Sequence, residues 1–141
     1  MNLNLYSITP VGILENKARM IISETLPNLL EKISYSVESY IPLKAKEIAR
    51  LEDTIADGVY EDGVIYLHSQ SLIETAIHEI GHAIHYQLFD AKDLKLSKKH
   101  FKNHKEEFAE LFSSMVLKLY NKQTLNVPEH KLRNLIFEII Q

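Results

Sequence analysis

Residues 71–89 constrain this fold more than any other stretch. Ile73, Ala76, Ile77, Ile80, Ile84 and Leu88 recur at spacings of three and four, the pattern of a helix with one apolar face. Ser71-Leu72-Ile73-Glu74 has the form of a capping box at its start. Embedded in the helix is the run His78-Glu79-Ile80-Gly81-His82. Positions i and i+4 stand one above the other, so His78 and His82 face the same way. Glu79 is turned about 100° around the axis from His78. A mid-helix glycine costs about 1 kcal/mol relative to alanine, so Gly81 suggests that another backbone or a substrate packs close.

Two imidazoles at this spacing grip a single metal ion, and the intervening carboxylate reaches a metal-bound water rather than the metal. H-E-x-x-H on a helix is the pattern of zinc metallopeptidases. The chain has no cysteine, which excludes disulfides, thiolate zinc sites and a cysteine nucleophile. Any metal must be held by His, Asp and Glu. Six of the seven histidines, His68, His78, His82, His85, His100 and His104, fall between positions 68 and 104. A catalytic zinc takes three protein ligands and keeps a fourth position for water. His78 and His82 supply two.

The third ligand is expected from the next helix, which offers Glu106, Glu107 and Glu110. Glu106 and Glu110 form an i,i+4 pair. That spacing suggests that Glu106 binds the metal while Glu110 accepts the free N–H of a ligand histidine and fixes its tautomer. Glu107 points about 100° away and is the main rival as ligand, because helix rotation is not set by sequence. The plainer reading of all three acids is a solvated face near a helix N-terminus. His85 lies on the histidine face, but about 10.5 Å along the axis from His78. That is too far to join the same ion easily, so it reads as a packed or solvated residue, with a group lining the cleft or behind the ligands as the alternative. His68 reads as the end of a strand.

The remaining chain frames this centre. The 141 residues fit one domain spanning 1–141, and 45% hydrophobic content is ordinary for a soluble globule. Residues 3–8 alternate as a short strand, Thr9-Pro10 fits a helix start, and Val11, Leu14, Ala18, Ile21, Ile22 and Leu26 form a helical stripe that Pro27 interrupts. Residues 34–41 lean towards a strand, and 46–51 towards a short helix or strand. Asp62-Gly63 between two β-rich runs predicts a hairpin over 55–67. Its two readings are an ordinary core hairpin and a sheet edge over the metal site, where a substrate backbone can add as a strand. Residues 91–102 read as a loop or weak helix, and helices follow at about 103–121 and 128–140. The expected class is α+β, with a small mixed sheet on the active-site helix and further helices below.

His78-Glu79-Ile80-Gly81-His82-Ala83-Ile84, followed by Glu106-Glu107-Phe108-Ala109-Glu110-Leu111-Phe112, resembles the gluzincin peptidases. The likeness is strongest to the catalytic domains of anthrax lethal factor and the clostridial Pro-Pro endopeptidases. Those carry H-E-[FL]-G-H-A and a later E-x-F-A-E-x-F. The resemblance covers roughly residues 55–120. It implies a zincin-like fold, a Zn²⁺ cofactor held by His78, His82 and Glu106, Glu79 as the catalytic base, and Glu110 behind the ligands. Two positions depart from the family pattern. Lys99 stands where the family has a tyrosine that hydrogen-bonds the transition-state oxyanion; His100 or His104 could substitute as protonated donors, and the plainer reading of both is surface residues. His85 stands where relatives have aspartate. The interval between the motifs is also shorter here.

The expected activity is hydrolysis of a protein or peptide substrate by a zinc endopeptidase. The alternative is a non-catalytic zinc-bound regulatory or interaction module on the same scaffold. Residues 92–105 hold six lysines and one acid, but aromatic stacking partners are sparse and the formal charge is −3. Both points argue against a nucleic-acid partner and for a solvated loop. No stretch has the form of a signal peptide or the roughly 20 apolar residues of a membrane span, so the chain as given reads as cytoplasmic.

Overall fold

Proline opens the first described element. In the computed structural model, which describes residues 10–39, 58–89 and 104–140 with side chains of the last segment from Glu106 on, helix α1 spans Pro10–Thr25. A proline at the first helical position loses no intrahelical hydrogen bond. The helix stops two residues before Pro27, and Asn28 takes a left-handed φ of 74° as the chain turns. A short 3₁₀ turn, Leu30–Lys32, follows. The expectations for residues 3–8, Thr9, 46–51 and 91–102, and for Lys99, His100 and the His104 side chain, lie outside the described residues.

The three strands among the described residues are β1 (Ser36–Ser39), β2 (Gly58–Glu61) and β3 (Val64–Leu67). Asp62 and Gly63 both have positive φ, 51° and 80°, as a two-residue type I′ hairpin turn requires. The turn pairs β2 antiparallel with β3, Glu61 opposite Val64. β1 pairs parallel with the other side of β3, Ser36 opposite Val64, giving the order β1-β3-β2. Ile65 and Leu67 of the central strand are fully buried while Val64 and Tyr66 are not. The sheet therefore covers the core on one face.

Three helices complete the described fold, α2 (Ile73–Leu88), α3 (His104–Tyr120) and α4 (Val127–Ile140). The arrangement is a mixed α+β one, with four α-helices and one small mixed sheet among the described residues. Ile77, Ile80 and Ile84 of α2 pack with Phe108, Phe112 and Met115 of α3, all fully buried. Gly81 lets these two helices meet. A Cβ built there would lie 3.0 Å from Phe112 Cδ2 and 3.3 Å from Ala109 Cα, so the close neighbour is α3.

The start of α2 differs from expectation. Leu72, not Ser71, is the N-cap, with extended backbone and no side-chain cap bond. Ser71 instead closes the turn out of β3: its Oγ accepts the His68 N–H at 3.0 Å, and its own N–H donates to the His68 carbonyl at 3.0 Å. The tight turn between strand and helix claims the serine that the sequence pattern gives to the cap. The reciprocal cap occurs at α4. There Glu129 N–H donates to Asn126 Oδ1 (2.9 Å) and Asn126 N–H to Glu129 Oε1 (2.8 Å). No helix among the described residues is long and apolar enough to cross a membrane.

Candidate metal centre

The apolar stripe of α2 packs in the core and against α3, and the histidine face of α2 lies beside that contact, next to the first turn of α3. His78, Glu79 and His82 project there, with ligand atoms that all lie within 4.8 Å of one another. The two imidazoles sit edge to face, centroids 4.9 Å apart and planes at 79°. Glu106, in the first turn of α3, completes the group. Its Oε2 is 3.1 Å from His78 Nε2 and its Oε1 is 2.9 Å from His82 Nε2. Against an ionised carboxylate, which only accepts hydrogen bonds, each of these contacts requires a proton on Nε2. A cation would meet the same two nitrogens once they are deprotonated.

Burial divides the two carboxylates. Glu79 is 5% exposed, whereas the Glu106 side chain is 56% exposed. Desolvation, reinforced by the negative charge of Glu106, pushes the Glu79 carboxyl up to about 8. One carboxyl is thus buried beside the imidazoles and the other open to solvent. Two imidazole nitrogens and carboxylate oxygens, without thiolates, form a donor set that suits zinc. The residues present fit the ion.

The structure thus brings together His78, Glu79, His82 and Glu106. Glu110 lies one turn along α3, exposed, on the wall of the same cleft as His78. Glu107 is half-buried. Among the described residues no hydrogen bond joins Glu107 or Glu110 to either imidazole. His85 is 7% exposed and stacks on Phe108, centroids 4.3 Å apart and planes at 11°. His68 follows the last residue of β3, and its Nδ1 accepts the Gln70 N–H.

Sequence reasoning did not single out Gly58, yet it shapes the cleft. A Cβ built on Gly58 would fall 2.9 Å from Thr75 Cγ2 and 3.2 Å from Glu79 Cγ. Only a residue without a side chain lets β2 lie this close over α2. Cavities of about 480 Å³ and about 510 Å³ flank that crossing and share Gly58, Glu79 and Glu106 in their walls. The first also takes in Ser113, Ser114 and Leu117 of α3; no pattern in the sequence marked these beyond their helical register. No family model, curated protein or solved structure matches this chain.

Proposed function

We propose that this chain is a zinc-dependent endopeptidase of the gluzincin kind, built on a zincin-like domain. The observation that carries the reading is the convergence of His78 and His82 Nε2 on the Glu106 carboxylate, with the buried Glu79 carboxyl beside them. His78, His82 and Glu106 would hold the ion. A bound Zn²⁺ supplies Lewis acidity, which activates water at neutral pH and polarises a carbonyl.

The protein's own groups do the rest. Glu79 accepts the proton of the attacking water at a carboxylate oxygen and returns it to the departing amine. Its burial favours this task, since a desolvated carboxylate is a stronger base than a solvated one. With a cation held at Glu106, the smaller of the two causes that raise the Glu79 pKa, the neighbouring negative charge, would be offset, which favours the ionised carboxylate. β2, at the sheet edge among the described residues, lies against the Glu79 segment through Gly58. An extended substrate backbone can pair along such an edge.

The test is Glu79→Gln. Equilibrium dialysis should find zinc retained, and mass spectrometry of a peptide mixture should find cleavage lost. Cleavage at the wild-type rate would sink the assignment. Zinc binding without cleavage by the wild type would instead favour a regulatory zinc module.

A further inference from the structure

Tyr86 is the most exposed large apolar residue of the described chain. It is 75% exposed although it sits on the helix that carries the ligands. Seven residues after Glu79, it returns to nearly the same helix azimuth, about 10.5 Å further along the axis. It lines the 510 Å³ cavity together with Glu79, His82 and Glu106. Opposite it stands Tyr60 of β2, with centroids 6.4 Å apart and planes at 57°. That ring is anchored. Its hydroxyl accepts from Gln87 Nε2 at 3.4 Å, and the Gln87 amide pairs with both backbone groups of Ser34 at 3.0 and 2.6 Å. Gly58, two residues before Tyr60 and on the same strand face, lies against Glu79.

Resting on the peptidase reading above, we infer that Tyr60 and Tyr86 form a substrate subsite for an aromatic or bulky apolar side chain, two or three residues along from the bond attacked. The spacing sets the register. The offset from Glu79 to Tyr86 equals about three residues of extended chain, and that from Gly58 to Tyr60 equals two. The chemistry sets the occupant. Two rings tilted to each other leave ring faces and edges for a third, in the offset or edge-to-face contacts that aromatic groups prefer. The cavity volume of about 510 Å³ falls within the range of small-molecule sites, roughly 300–1,000 Å³. A ring that only filled the core would be buried, as Phe108 and Phe112 are. Tyr86 is exposed, and it borders the proposed reacting centre.

The chain has no tryptophan, so tryptophan emission reports on an added peptide alone. Alanine-based octapeptides with one tryptophan walked through each position should be titrated with the zinc-loaded Glu79→Gln variant and offered to the wild type for cleavage. One register should bind about tenfold tighter than the alanine parent, the size of one well-placed aromatic contact plus its buried area. Tyr86→Ala on the same background should erase that preference and Tyr86→Phe should keep it, with zinc affinity and circular dichroism unchanged in both. A flat tryptophan walk, no peptide binding at all, a preference that survives Tyr86→Ala, or arginine outcompeting tryptophan would each overturn the subsite. Cleavage with a flat walk would leave the peptidase reading standing without the subsite. A Tyr86-dependent walk without wild-type cleavage would do the reverse.

Discussion

Glu79→Gln should make the metal-free protein more stable while removing the proposed peptidase activity. The carboxyl pKa is 4.5 in the ordinary state and about 8 in the fold, chiefly because burial penalises its charge. The native state therefore binds the proton more tightly than the unfolded state does. The sign follows from linkage: the contribution of Glu79 is fully present below pH 4.5, falls as pH rises, and levels off above about pH 8. One pKa unit is worth about 1.36 kcal/mol, so the whole window amounts to about 5 kcal/mol, with about 3 kcal/mol already lost at pH 7. This is a large share of the roughly 5–15 kcal/mol that holds a small domain together. Glutamine cannot ionise and escapes the loss. Urea unfolding in the presence of a chelator, at pH 5, 6, 7 and 8, measures it. The difference between variant and wild type cancels the other titrating groups and should widen by about 1 kcal/mol per pH unit. Parallel stability curves for the two proteins over this range would refute the reasoning.

Four further outcomes follow from other residues. In competition with a chromophoric chelator, Glu106→Gln and His82→Ala should each weaken zinc binding by about a hundredfold or more, since each ligand carries a share of the roughly 10–16 kcal/mol of a full site. Glu110→Gln should weaken it by about tenfold if it orients a ligand, and an equal loss from Glu107→Gln would move the third ligand to that residue. Gly81→Ala should gain about 1 kcal/mol of helix propensity but lose about 2 kcal/mol to the contact with Phe112 and the Ala109 backbone, for a net fall in the urea midpoint. Glu129, 1% exposed, binds Lys118, Ser114 and Asn126; Glu129→Ala should cost about 3 kcal/mol at neutral pH. Burial opposes its charge, but these hydrogen bonds and Lys118 hold its carboxyl below the usual range. Its contribution is thus present above pH 4.5 and fades as pH falls through the folded value, opposite to Glu79.

What the sequence made legible was local chemistry with a strong period. The apolar stripe of α2, the Asp62-Gly63 turn and the break before Pro27 each depend on residues close in the chain, and each stands in the structure. Glu106 was one of three candidates because rotation of α3 depends on how Phe108 and Phe112 seat against Gly81, a contact between distant segments. The parallel pairing of β1 with β3 was not legible for the same reason. Glu15 shows the limit on polar residues. It lies within the periodic face of α1 and is buried because Tyr35 donates to it at 2.6 Å, a partner twenty positions away. The Asn126–Glu129 cap stands in the sequence as N-x-x-E, a capping box with asparagine in place of serine or threonine, and it is legible once asparagine is admitted at the cap.

The division of the centre between two helices has a consequence beyond chemistry. His78 and His82 stand on α2 and Glu106 on α3, so an ion held by all three fastens one helix to the other. A ligand that binds only the folded chain stabilises it by mass action, by about 4 kcal/mol at a thousandfold excess over its Kd. A change of that size alters the fraction of chains open to degradation by about three orders of magnitude. With the proposed ion at this centre, the supply of metal would govern how long each molecule survives as well as whether it works.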